Sequence, residues 1–242
     1  MLKKTTQKKN IFSFAYCKIT YFCNMKQIEE IAQTTAKFLL QVKAIKLNNN
    51  NPFTWASGRK SPIYCDNRVT LSYPEIRTYI RQRIADAITE KFGDFDVIAG
   101  VATGGIPQGV LVAQDLGKPF VYVRPEEKKH GLTNQIEGYI REGQTVVVVE
   151  DLVSTGKSSL VAVKALRDHG CRVKGMVAIF TYGLKVSEEA FAKENVDLIT
   201  LTNYDSLIKV AIDEEYISEE DQFSLKNWRK DPEKWSEDHM NQ

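Results

Sequence analysis

Four consecutive β-branched residues, Val146-Val147-Val148-Val149, run straight into two carboxylates, Glu150-Asp151, and then into Leu152-Val153-Ser154-Thr155-Gly156-Lys157-Ser158. A short continuous apolar run closed by turn residues reads as a strand buried on both faces, the signature of a parallel sheet covered by helices. The Ser/Thr/Gly turn then predicts a helix beginning near Lys157. Ligands of open α/β sheets sit beyond the carboxyl ends of the strands. A helix N-terminus there offers backbone N–H groups to a phosphate. Two carboxylates beside a phosphate cradle would repel a bare polyanion. Neighbouring sugar hydroxyls are their economical partners, so this segment predicts a phosphorylated ribose as ligand.

Other nucleotide motifs fit less well. Gly156-Lys157-Ser158 matches the tail of a nucleotide-triphosphate P-loop, but that motif needs glycine where Asp151 stands. No GxGxxG follows a predicted strand, so the dinucleotide fingerprint is missing. A purely structural strand–turn–helix would explain the valines and the cap, but not the paired carboxylates. The chain of 242 residues carries a formal net charge of +2, which supplies no global basic field for nucleic acid. Its four cysteines (Cys17, Cys23, Cys65, Cys171) form no CxxC pair and no zinc spacing, and a reducing, cytoplasmic setting is expected. No apolar run is long enough to span a bilayer.

The spacing of Ile28, Ile31, Ala32, Thr35, Phe38, Leu39 and Val42 predicts an amphipathic helix starting at Met25. The basic, partly apolar residues 1–24 are read as a disordered extension rather than an export signal, since Lys18 interrupts the apolar stretch. Short strands are predicted at Phe53-Thr54-Trp55 and Pro62–Cys65 around a Ser57-Gly58 turn, and a long helix over Pro74–Phe92. Strands at Val97–Val101, Phe120–Val123, Thr145–Val149, Val173–Phe180 and Asp197–Leu201 then alternate with helices at Ile106–Leu116, Lys157–His169 and Ser187–Lys193. This alternation predicts a doubly wound parallel sheet. Beyond Tyr204, two surface helices are expected, the second ended by Pro232.

Three more segments carry chemistry. Gly100-Val101-Ala102-Thr103-Gly104-Gly105 follows the first parallel strand, and its glycines let the backbone approach a ligand at a helix start. Two anion-suited loops on adjacent strands would fit a ligand with two separated phosphate groups. Arg124 stands at a strand end where a guanidinium can fork onto phosphate, and the long polar loop after it holds Lys128, Lys129 and His130, suited to closing over a polyanion. The stretch from Phe53 to Asp66 interleaves aromatics with Arg59 and Lys60. It suits a flat anionic base and equally a hairpin packed on the domain.

The run Glu150-Asp151-Leu152-Val153-Ser154-Thr155-Gly156-Lys157-Ser158 resembles the phosphoribosyl-pyrophosphate (PRPP) signature of type I phosphoribosyltransferases. The hairpin with Ser57-Gly58-Arg59-Lys60-Ser61-Pro62, and Arg124 with Lys128 and His130-Gly131, are similar to the hood and mobile loop of the orotate-using branch. The resemblance spans about Met25 to the C-terminus. It implies the type I phosphoribosyltransferase fold, an α/β doubly wound sheet with a small N-terminal hood (about 25–70), a core (about 71–202) and C-terminal helices (about 203–242). It also implies transfer of 5-phosphoribosyl from PRPP to orotate, giving orotidine 5′-monophosphate and pyrophosphate in pyrimidine synthesis. A homodimer sharing its lid loop is expected, with Mg²⁺ held mainly by PRPP and by Asp151 through water.

Carried over by residue, Glu150 and Asp151 would hold the ribose hydroxyls, Leu152 and Val153 would also bind PRPP, Ser154 to Ser158 would take the 5′-phosphate, and Gly100 to Gly105, with Thr103 and Gly104, would line the pyrophosphate. Arg124, Lys128 and His130 would bind pyrophosphate, with Lys128, His130 and Asp151 catalytic. Ser154 would touch orotate. The chain departs from one branch of the family at Ala56, Gly104, Pro125 and Tyr182, where that branch has three lysines and an orotate-holding arginine. Tyr182, Arg59, Lys60 and Tyr64 therefore stand as its orotate contacts. A purine-base phosphoribosyltransferase and a non-enzymatic regulator on the same fold are the alternatives.

Overall fold

The computed structural model describes residues 25–55, 57–126 and 135–240. The expected extension (1–24) and the lid residues Lys128 and His130 lie outside them.

The valine run does what its composition predicts. It lies in strand β8 (Thr145–Val153), where Val146 to Val149 are fully buried. Side chains alternate across a strand, so Val147 and Val149 enter one core while Val146 and Val148 enter another. The first core lies under a helix over 25–41 (α1), α2 (Pro74–Phe92), α3 (Gly105–Asp115) and the C-terminal helices. The second lies under α4 (Lys157–Asp168) and α5 (Lys185–Lys193). Helices on both faces explain why the strand can be apolar without interruption.

With β5 (Val97–Val101), β6 (Phe120–Val123), β7 (Ile136–Glu137), β9 (Arg172–Thr181) and β10 (Leu198–Asn203), β8 forms one sheet in the order β10-β9-β8-β5-β6-β7. Five strands are parallel. The sixth, β7, pairs antiparallel to β6 at the edge, inside the stretch read from sequence as one long loop. Two residues are too few for a periodic signal, and only pairing makes them a strand. The chain leaves β5 for β6 on one side, while β8 takes the other side. The β5/β8 boundary is therefore the topological switch point, where crossovers diverge and a crevice opens.

The hood differs in detail from the sequence expectation. The Ser57-Gly58 turn is present, closed by Trp55 N–H donating to the Arg59 carbonyl at 2.9 Å, and β2 (Phe53–Thr54) pairs with β3 (Lys60–Ser61). The second expected strand forms as β4 (Ile63–Cys65), but it pairs antiparallel with β1 (Ile45–Leu47), a strand the sequence did not signal, while Lys60–Ser61 takes the place across the turn. Pro62 stands between β3 and β4, where its missing N–H ends a ladder.

The C-terminal region is a correction. Three helices form, α6 (Tyr204–Asp213), α7 (Glu219–Lys230) and α8 (Pro232–His239), and Pro232 starts the third rather than ending the second. Proline suits the first helical turn, whose N–H groups lack partners anyway. Nor do these helices lie on the surface as loose additions. Trp228 is 0% exposed, its ring 5.8 Å from Trp55, 5.4 Å from Tyr182 and 5.5 Å from Tyr204. The Ser236 hydroxyl accepts from Lys60 N–H at 2.9 Å, so α8 holds the hood hairpin.

Candidate active site

Strand β8 does not stop at Val149 but continues through both carboxylates, in register with β9 at Glu150↔Ala178 and Leu152↔Phe180. That extension starts the two side chains on alternate sides of the strand, although they still hydrogen-bond to each other. Glu150, 4% exposed, turns toward α4. Its Oε2 accepts from the Ser159 hydroxyl at 3.1 Å and its Oε1 from the Asp151 N–H at 3.0 Å. Burial first, and the Asp151 charge second, push its pKa well above the usual carboxylate value. Asp151 turns to the other face and lies directly on Gly104, where a Cβ would come within 2.2 Å of its carboxylate. Burial raises its pKa also, opposed in part by a hydrogen bond with Glu150 and by the Arg68 charge. The two side chains nevertheless remain within hydrogen-bond reach of each other, and Asp151 is the one that meets the neighbouring loop.

That loop, Ala102-Thr103-Gly104, joins β5 to α3, and its Ala102–Thr103 peptide is cis. Thr103 is exposed. On the β8 side, Leu152 and Val153 are strand residues, and the Val153 carbonyl accepts from the Thr181 hydroxyl at 3.2 Å. Ser154 is half-buried, and Thr155, Lys157 and Ser158 are exposed. Gly156 bridges into α4 at φ +78°, against Phe191, a left-handed conformation that glycine accepts without strain. Among the described residues, the N–H groups of Thr155, Gly156, Lys157 and Ser158 make no hydrogen bond. Unpaired donors at a helix start are an anion site in waiting. This turn and the Thr103-Gly104 loop each open a helix at the carboxyl end of a strand, and Asp151 lies against the second.

Arg124 follows β6, with its N–H donating to the Gln135 carbonyl at 2.9 Å and its guanidinium 3.6 Å from Glu137. The residues assigned to orotate are not gathered. Tyr182 is 2% exposed, its ring 5.7 Å from Trp55 and 5.2 Å from Phe180, so it serves the aromatic core. Arg59 pairs with Glu233 of α8, and Lys60 is half-buried beside the same helix. Tyr64 is 38% exposed and packs 5.8 Å from Phe53. The C-terminal helices, whose docking the sequence did not show, claim Arg59 and Tyr182.

Three residues given no role in the sequence reading, Ser159, Asn67 and Arg68, lie beside Glu150 and Asp151. Ser159 holds Glu150. Asn67 donates to the Asp151 carbonyl at 2.6 Å and accepts from the Cys65 thiol at 3.3 Å. Arg68, gripped by Asp66 at 2.7 and 2.9 Å, supplies a positive charge felt by Asp151. Their one sequence signal is the cluster Cys65-Asp66-Asn67-Arg68 at the end of a strand, which reads equally as a turn.

Among the described residues, no group of three or more His, Cys, Asp or Glu side chains is assembled for a metal, and no helix is long and apolar enough to cross a membrane. A groove of about 580 Å³ between α6 and α7, lined by side chains such as Asp205, Lys209 and Lys226, lies apart from these loops.

The sequence model of the phosphoribosyl transferase domain family matches residues 70–216. The orotate phosphoribosyltransferase of Phocaeicola vulgatus is 58% identical over 211 residues, 87% of this chain and 98% of that protein. This chain belongs to the orotate phosphoribosyltransferases. The family member from Listeria monocytogenes is 53% identical over 205 residues, 85% of this chain and 98% of that one. The solved orotate phosphoribosyltransferase of Aeropyrum pernix is 30% identical and superposes with a TM-score of 0.65, over 76% of this chain and 99% of that one. Relatives this similar within the orotate phosphoribosyltransferases set aside the purine-base and regulator readings.

Proposed function

We propose that the crevice at the β5/β8 switch point binds PRPP and orotate and transfers 5-phosphoribosyl to the orotate ring nitrogen, releasing pyrophosphate. One observation carries the reading: the Asp151 carboxylate lies against the Gly104 loop that opens one helix, three residues before a turn of unpaired N–H groups that opens another. The turn Ser154 to Ser158 takes the 5′-phosphate, Asp151 the ribose hydroxyls, and Thr103 with Gly104 the pyrophosphate. Arg124, Lys128 and His130 complete the pyrophosphate clamp, the last two from a lid that a second copy of the chain lends in a homodimer. Tyr64 borders the orotate side, with Ser154 opposite.

Displacement at the anomeric carbon passes through a cationic, oxocarbenium-like centre. The ionised Asp151 stabilises that charge, while Arg124, Lys128 and His130 stabilise the charge growing on pyrophosphate. Lid closure excludes water that would otherwise hydrolyse PRPP. The half-buried Asp151, whose ionised form burial disfavours, would hold an Mg²⁺ ion through water. When bound, that ion neutralises diphosphate charge. Orotate is already anionic and needs no strong base. The unpaired Cys65 and Cys171 support the cytoplasmic setting that pyrimidine synthesis implies.

The test is ultraviolet detection of orotate loss with PRPP and Mg²⁺, beside Asp151→Asn and Lys128→Ala. Turnover in the parent chain that falls about 100- to 1,000-fold in each variant is expected, the usual effect of removing one charged stabilising group. A folded parent chain that leaves orotate unchanged refutes the reading.

A further inference from the structure

Asn67 begins the 3-10 turn (Asn67–Ser72) that leads from the hood to α2, and it is 1% exposed. Both ends of its amide are committed. The Cys65 thiol, at the end of hood strand β4, donates to Oδ1 at 3.3 Å. Nδ2 in turn donates to the main-chain carbonyl of Asp151 at 2.6 Å, across 84 positions of sequence. A thiol bearing its proton can only present a donor toward Oδ1. The Asp151 carbonyl, which can only accept, fixes the amide with its N–H₂ toward Asp151, and the thiol donor complements that orientation. Burial pushes the Cys65 pKa well up, which keeps the proton in place. The next residue, Arg68, turns outward to Asp66, so the chain itself separates the buried tether from the surface ion pair.

We propose that Asn67, oriented by Cys65, is a positioning residue for PRPP: it fixes the Asp151 backbone so that the carboxylate beside Gly104 meets the ribose hydroxyls in register with the hood. The inference rests on the transfer reading above and deepens it. Tyr64, one residue before Cys65, borders the proposed orotate side, so this tether joins the two halves of the substrate site through three residues. Reacting groups must be held to within a fraction of an ångström, and a displacement near 1 Å lowers rates by about 100-fold.

The experiment measures PRPP affinity by calorimetry with Mg²⁺ present, together with KM for both substrates, in Asn67→Ala, Cys65→Ala and Cys65→Ser. Asn67→Ala should weaken PRPP binding about tenfold, the effect of one buried hydrogen bond, while the orotate KM moves less than about twofold. Cys65→Ala should shift PRPP affinity in the same direction by about threefold, and Cys65→Ser, which keeps an O–H donor, should restore it. A structural role alone would not distinguish serine from alanine or PRPP from orotate. Unchanged PRPP affinity in Asn67→Ala, equal losses for both substrates, or Cys65→Ser no better than Cys65→Ala overturns the proposal. Should Asn67→Ala fail to fold, the Cys65 pair decides. Calorimetry needs no turnover: a parent chain that binds PRPP without consuming orotate refutes the transfer reading, and the affinities still judge Asn67. A parent chain that binds no PRPP overturns both.

Discussion

Glu150 keeps its carboxyl under the first turn of α4, between the Ser159 hydroxyl and the Asp151 N–H. Both bonds suit an ionised acceptor, yet burial outweighs them and raises its pKa well above the usual value. The folded chain therefore binds this proton more tightly than the unfolded chain, whose glutamate titrates near about 4.3. Between that value and the raised one, stability falls as pH rises; above the raised one it levels off. Glu150→Gln keeps an acceptor for the Asp151 N–H without the charge. Melting of the ligand-free protein at pH 5 and pH 8 should show a drop in Tm for the parent chain and a smaller drop for Glu150→Gln. An equal drop in both would place the pH dependence elsewhere. Asp151, raised less strongly, retains its own share of the effect.

Helices α7 and α8 act on the site from behind. Trp228 closes an aromatic cluster with Trp55 of the hood, Tyr182 at the end of β9 and Tyr204 at the start of α6. Edge-to-face and tilted rings at these separations add packing energy beyond their buried area. Trp228→Ala should lower stability by about 3–5 kcal/mol, as large-to-small changes in a core do. For a chain of this size that is a fall in Tm of about 2–4 °C per kcal/mol. Because Trp55 stands in the hood and Tyr182 in the core, the orotate KM should rise with it, measured in the ultraviolet assay. A fall in Tm with an unchanged orotate KM would show that the hood is positioned by its Lys60–Ser236 and Arg59–Glu233 contacts instead.

At the scale of the molecule, two cores share one sheet. Residues 25–30 are exposed, and the first core member of α1 is Ala32. A protein beginning at Met25 should therefore melt within about 2 °C of the full chain, since the new terminus would fall in an exposed turn of α1. Its orotate turnover should also match. A clear loss of either would give residues 1–24 a structural or catalytic part. Exposed ion pairs such as Lys164–Asp168 and Lys185–Glu189, each within one helix, contribute little to this balance.

Strands β5, β6, β8 and β9 were legible because burial on both faces leaves an uninterrupted apolar run, a local property of composition. The anion loops were legible because Gly104, Ser154 and Gly156 stand where strand turns to helix, also a local property. What the sequence could not show is pairing at a distance. Whether Ile63 meets Ser61's partner or Ile45, and whether Arg59 faces solvent or Glu233, depends on segments far apart in the chain. The roles of Glu150 and Asp151 turned on how far β8 extends. Four more residues of pairing with β9 put both carboxylates on the strand itself, Glu150 bonded to Ser159 and Asp151 against Gly104. The sequence alone therefore determined the architecture, the ligand class and the family, which follow from patterns within short windows. Only the tertiary structure decided which carboxylate meets the Gly104 loop and that Asn67 grips the Asp151 main chain, because a hydrogen bond across 84 positions leaves no periodic trace.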